Sequence, residues 1–198
     1  MCIRDSNTTV NKILTNENRA IGVQLESGEK ISADYVVSNA DLQNTYDSLL
    51  GHQKKKRWTK HKLDAKNWSM SLFVWHFGTS KTRSKWKNVG HHTILVGPNY
   101  KKEVNDIFIK GELPQEMSLY VHRPSVTDKT CAPKGDDTFY VLACVPNLSF
   151  KNNIFWRNIE KSYKKKILDV LETRLLPGLG RSIKTEYVMT PLDFKKDI

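Results

Sequence analysis

The sequence predicts an α/β chain of the α+β kind: a β-meander followed by a mixed sheet with covering helices. Three observations carry this. The first forty residues alternate short β-rich segments with polar turns, the middle holds four apolar runs of strand length, and one long stretch near the end repeats apolar residues every three to four positions. Taken in order, "TVNKILT", "AIGVQLE" and "ISADYVV" are three strands joined by "NENR" and "SGEK", both turn-forming. Leu42, Tyr46, Leu49 and Leu50 then share one helical face, and Gly51 stops the helix. Strands follow at 69–77, 92–97, 117–123 and 138–145, with a helix near 101–110 between the second and third and a Pro- and Asp-rich loop between the third and fourth. Several of these strands are apolar on both faces, which predicts a sheet covered on both sides. Trp156, Ile159, Tyr163, Ile167, Val170, Leu171 and Leu175 mark an amphipathic helix over 154–176, ended by Pro177-Gly178, and "IKTEYVMT" forms a last strand.

Composition narrows the function classes. A hydrophobic content of 38% with five Trp and seven each of Phe and Tyr describes a globule with bulky core material, and the mean hydropathy of −0.55 makes it polar outside. No apolar run reaches the ~20 residues of a spanning helix. The net charge of +11 raises the reading of a basic nucleic-acid-binding module. Its lysines, however, are spread along the chain, with short clusters only at 54–57 and 164–166, so solvated faces come first, an anionic membrane surface next and nucleic acid last. Cys2, Cys131 and Cys144 have no CxxC spacing, as in a cytoplasmic protein with reduced thiols. The opening "MCIRDS", residues 1–6, resembles translated sequencing adaptor and is set aside, and the ending "TPLDFKKDI" reads as a second truncation.

No self-contained catalytic motif is present. Gly178-Leu179-Gly180 follows a helix and lacks the third glycine of a dinucleotide fingerprint. His91 and His92, if both lie in a strand, point to opposite faces and cannot share a metal, so no metal site is expected. His76, His122 and Arg123 sit on or beside apolar strands, where a polar group needs a partner or a substrate. At Ser38-Asn39-Ala40-Asp41 a strand runs into a helix through a polar elbow, which is either an N-cap or the edge of a ligand site.

Four blocks, "VNKILTNENRAIGVQLESGEKISADYVVSNAD", "GHHTILVGPNYKKEVNDIF", "SLYVHRPSVTDKTCAPKGDDTFYVLACVPNL" and "LETRLLPGL…TEYVMTPLDF", cover nearly everything after residue 7. In order and spacing they resemble the central part of the bacterial-type phytoene desaturases, FAD-dependent carotenoid oxidoreductases of the amine-oxidase-like flavoprotein group. The resemblance implies a partial FAD-binding domain over 7–41 and a substrate domain over 42–198. It implies FAD as cofactor, with the backbone of Val10 near its adenine and Asn39 and Asp41 lining the cofactor side of the elbow. The Gly-rich βαβ unit and the segment closing over the flavin ring are absent, so the piece alone is expected to be inactive.

The implied activity is removal of hydrogen from an acyclic polyene by hydride transfer to flavin, with a carotenoid isomerase or a polyene saturase as alternatives on the same scaffold. A hydrocarbon forms no hydrogen bonds, so its site must be long and apolar, and Phe73, Trp75, Tyr120 and Tyr140 are the candidates for its wall, with packing in the core as their other reading. No catalytic residue is singled out. A substrate dissolved in lipid requires peripheral attachment to the membrane, for which Lys54, Lys55, Lys56 and Arg57, followed by Trp58, are the candidate anchor.

Overall fold

The computed structural model describes residues 4–53, 57–150 and 154–197. They form two compact units that divide between Asn67 and Trp68.

The first unit is the expected meander, with antiparallel strands β1 (Val10–Asn16), β2 (Arg19–Leu25) and β3 (Lys30–Ser32) side by side. The third is shorter than "ISADYVV" suggested: pairing stops at Ser32, and 33–41 run without regular structure. Helix α1 (Leu42–Asn44) continues as a π turn over Thr45–Leu49, and the Gly51 amide donates to the Ser48 carbonyl (3.2 Å). Thr15 on β1 meets His52 (3.2 Å) and accepts from Gln53, tying the end of this helix to the meander. Helix α2 (Lys60–Asp64) is capped by Thr59, whose hydroxyl accepts from the Lys62 amide.

The second unit is a five-stranded sheet ordered β5-β6-β7-β4-β8, made by β4 (Ser71–Thr79), β5 (His92–Leu95), β6 (Leu119–His122), β7 (Asp137–Val145) and β8 (Ile183–Met189). Each pairing is antiparallel, so the mixed sheet expected from the sequence is an antiparallel one. The period-2 geometry of strands sends odd-numbered residues of β4 and β7 to one face. There Phe73, Trp75, Phe77, Phe139, Val141, Ala143 and Val145 are buried. Helix α4 (Trp156–Arg174) covers this face, with Trp156, Tyr163, Ile167 and Leu171 at helical spacing buried against it. Tyr163 meets the Phe73 ring edge-on at 5.0 Å. Each such side chain contributes roughly 1.5–3 kcal/mol by leaving water. The expected cover on both faces is therefore half realised within this unit.

Helix α3 (Tyr100–Asn105) is capped by Asn99 and runs into a π turn over Asp106–Lys110. Gly111 ends it at φ 68°, where a Cβ would lie 2.5 Å from the Phe150 ring. Helix α5 (Pro191–Asp197) follows β8.

One end of the covered face holds a buried ion pair. Arg123 donates to both carboxylate oxygens of Asp137 (Nε 3.1 Å, Nη2 2.8 Å) and to the carbonyls of Trp86, Val89 and Arg83. Asp137 also accepts from Ser125 and Thr82, both at 2.8 Å, and lies 3.2 Å from Nε of Arg83. The polar residues of "RPSVTD" are thus structural at Arg123 and Ser125: they complete the coordination of one buried carboxylate.

The same core contains an unmet group. The Tyr163 hydroxyl is buried with no hydrogen-bond partner among the described residues, and burial pushes its phenol well above the ordinary range. Replacing Tyr163 with Phe removes the orphaned hydroxyl and keeps the ring. Denaturant unfolding is expected to show Tyr163→Phe equal to the parent or more stable by about 1 kcal/mol; a loss beyond that amount would mean the hydroxyl is satisfied in solution.

Candidate functional site

The uncovered face of the five-stranded sheet carries the even-numbered residues of β4, β6 and β7, and register aligns them into rows. One row runs His92, Ile94's neighbour two positions earlier on β5, then His122, Tyr140, His76 and Tyr187 across β6, β7, β4 and β8. The next runs Ile94, Tyr120, Leu142, Val74 and Met189. The rings of the first row lie close together: His92 to His122 5.1 Å, His122 to Tyr140 4.7 Å, Tyr140 to His76 5.6 Å and His76 to Tyr187 6.4 Å. Four inter-strand steps make each row about 19 Å long. An aromatic row thus lies beside a mostly aliphatic one; Ile94 and Tyr187 at the two edges are 70% and 57% exposed, whereas Val74 within the aliphatic row is buried, at 6%.

Two imidazoles on this face, His76 and His122, are poor bases. Burial lowers the pKa of His76; burial, followed by the neighbouring His91 and His92, lowers that of His122. Tyr140 is shifted the other way, upward, by burial and by its contact with Tyr120. At neutral pH His76, His122 and Tyr140 therefore present uncharged rings, so the middle of the first row can meet an apolar ligand without stripping water from a charge.

Of the four candidate wall residues, the structure brings Tyr120 and Tyr140 together on this face, with ring centroids 5.7 Å apart. Phe73 and Trp75 belong to the opposite face, packed toward α4. The Trp75 indole N–H donates to Glu186 (3.0 Å), and Lys164 lies 5.7 Å over its ring. The four do not form one wall, because 73 and 75 differ from 74 and 76 in strand parity. Of the residues that share the face with the tyrosines, His76 and His122 were marked in the sequence as needing a partner or a substrate, whereas Ile94, Leu142 and Tyr187 were not; their signal was the same parity, which needs the register of all five strands.

In the first unit, Val10 begins β1 beside a register irregularity and is 36% exposed. Asn39 is exposed on the elbow. Asp41 caps α1, its carboxylate accepting from the Gln43 amide at 2.7 Å. A cleft of about 330 Å³ in the same unit is lined by Ile13, Thr15, Ser38, Tyr46 and Gln53 among others, and Val10, Asn39 and Asp41 lie outside that lining. Of the basic anchor, Lys54, Lys55 and Lys56 lie outside the described residues. Arg57 is exposed and sits 6.0 Å over the half-buried Trp58, whose ring also has Lys66 at 5.5 Å. Among the described residues no helix is long and apolar enough to cross a membrane.

The expectation that His91 and His92 diverge is corrected. β5 begins at His92, so His91 precedes the strand and escapes its alternation. The two rings stack at 4.3 Å, and His91 Nε2 lies 2.7 Å from His122 Nε2.

Known proteins resemble this chain over nearly all of its length. It is 56% identical over 190 residues to a neurosporene-forming phytoene desaturase of Rhodobacter capsulatus, an alignment covering 96% of the chain and 36% of that protein. It is 48% identical to the neurosporene-forming phytoene desaturase of Cereibacter sphaeroides over 96% of the chain, and 44% identical to a lycopene-forming one of a Paracoccus species over 97% of it. The chain belongs to the phytoene desaturase family. It spans a little over a third of the length of these relatives. No family model matches it. An oxidoreductase from Methanosarcina mazei shares its fold, with a TM-score of 0.58 at 18% identity over 91% of the chain and 36% of that structure. As a phytoene desaturase segment, the chain thus consists of a meander unit and an antiparallel sheet whose second face is open within its own unit.

Proposed function

We propose that this chain supplies the substrate wall and part of the cofactor domain of an FAD-dependent phytoene desaturase. The observation that supports this most is the pair of rows on the open sheet face: neutral rings beside aliphatic side chains, in a strip long enough to hold several units of an extended polyene. Residues 7–41 are assigned to the FAD-binding domain and 42–198 to the substrate domain. Val10 and Asn39 fit the edge of a cofactor site, since one sits at an irregular, part-exposed strand start and the other on an exposed elbow. Asp41 fits less well, because its carboxylate holds the start of α1.

FAD, met by this chain at Val10 and Asn39, would supply the oxidising power for removal of a hydride and a proton from neighbouring carbons, which leaves a new conjugated double bond. The chain's own residues bind and orient. Ile94 and Leu142 exclude water along the aliphatic row, and Tyr140 and His122 lay ring faces beside it without offering charge. Their contribution is positioning, which keeps the reacting carbons of a featureless chain in one register. Attachment to an anionic membrane surface through 54–58 gives access to a substrate dissolved in lipid, each basic residue adding about 1 kcal/mol near the leaflet. The comparisons give the nucleic-acid reading no support.

The test is expression of the intact protein in cells that accumulate phytoene. Desaturation shifts absorption into the visible, with the enzyme recovered in the membrane fraction and released by salt. An isomerase leaves the number of double bonds unchanged, and failure to consume any polyene would overturn the reading.

A further inference from the structure

We propose that His91, His92 and His122 form a three-histidine site for a divalent transition-metal ion of the zinc class, open to solvent at its remaining position. One ring nitrogen from each histidine lies within 4.8 Å of the other two. The ring centroids are 4.3, 4.6 and 5.1 Å apart with interplanar angles of 21°, 36° and 20°, so the rings stack and must turn about their side-chain bonds before their in-plane lone pairs converge on one ion. Zinc–imidazole bonds of about 2.0–2.1 Å in tetrahedral geometry place ligand nitrogens about 3.3 Å apart and ring centroids about 5 Å apart. The cluster is slightly tighter than this. The 2.7 Å contact between the Nε2 atoms of His91 and His122 would open by about 0.6 Å as a cation replaces the shared proton.

The surroundings match a metal site in two further respects. Nδ1 of His91 lies 2.6 Å from the Thr127 hydroxyl, and Nδ1 of His92 lies 2.6 Å from the Tyr120 hydroxyl. With the ring proton on Nδ1 donated to these oxygens, Nε2 of each ring keeps its lone pair for a cation, and the ring orientation is fixed by its second nitrogen. His122 contacts His91 through Nε2, and its Nδ1 is buried without a partner among the described residues, so this ring would be oriented by its strand pairing and not by a contact at its second nitrogen. The backbone holds the set: His92 and His122 are directly paired across β5 and β6, and the Arg123 amide donates to the His91 carbonyl at 2.8 Å. His92 is exposed, at the β5 edge of the sheet, which leaves room for water or an oxygen ligand.

The site shares His92, His122 and Tyr120 with the rows of the open face, so its test reads metal binding itself and not polyene conversion. It is tested on the full 198-residue chain, freed of metal by a chelator and titrated with Zn²⁺ by calorimetry at neutral pH, with Co²⁺ as a spectroscopic probe. One equivalent is expected to bind. Co²⁺ should give visible ligand-field absorption and shift the ring-proton resonances of His91, His92 and His122 while leaving those of His52 and His61 in place. His92→Ala, at an exposed position, is expected to abolish the stoichiometric site, Thr127→Val and Tyr120→Phe to weaken it about 10-fold, and His52→Gln with His61→Gln to leave it unchanged. Absence of stoichiometric binding, binding that survives His92→Ala, or Co²⁺ shifts on other histidines would overturn the proposal.

Discussion

Asp137→Ala is expected to destabilise the chain by about 3–5 kcal/mol, because it leaves Arg123 charged, buried and without its counter-ion. The side chains of Arg123 and Asp137 are 2% and 0% exposed, so water cannot replace the lost partner. Truncation also removes the acceptor of the Ser125 hydroxyl and one of the two partners of the Thr82 hydroxyl, which keeps Thr79 at 2.6 Å. Urea unfolding should show a lower midpoint with an unchanged slope; a loss under 1 kcal/mol would show that the pair is solvated. The pH dependence has a definite sign. Burial pushes the Asp137 carboxyl up, but hydrogen bonds from Arg123, Ser125 and Thr82 and the Arg123 charge pull it down further, and the net shift is downward. A depressed carboxyl stabilises the fold fully above its ordinary value and loses that contribution as pH falls through its folded-state value. Asp137→Asn should remove this part of the acid sensitivity.

The strands were legible because their apolar runs are short and bounded by turn residues. Helix α4 was legible because its pattern repeats over five turns. What the sequence hid was long-range. The run "FYVLACV" is apolar at every position because one face meets α4 and the other forms the open rows, and only the register of β7 with β4 and β6 separates Tyr140 and Leu142 from Val141 and Ala143. The same register explains why Phe73 and Trp75 belong to the core while Tyr120 and Tyr140 do not. "ISADYVV" reads as strand by propensity, yet β3 pairs only at Lys30–Ser32, since a strand needs a partner as well as β-branched residues. Alternation misled at His91 because the strand starts one residue later. The Arg123–Asp137 pair joins residues separated by a polar loop whose composition signals a turn and nothing more.

The open face makes a second expected result, and it tests the central claim most directly. A photoreactive benzophenone side chain placed at 94, 140 or 187 of the intact protein lies on the rows, within reach of any polyene they hold, whereas the same group at Lys161, exposed on α4, faces away from the sheet. The protein is loaded with phytoene, irradiated, digested and analysed by mass spectrometry. Covalent hydrocarbon adducts are expected at 94, 140 and 187 and not at 161, and unlabelled phytoene in excess should reduce adducts from an isotopically labelled sample in proportion. Adducts absent from all three row positions in protein that still consumes phytoene, or adducts equally frequent at 161, would contradict the assignment of the open sheet face as the substrate wall.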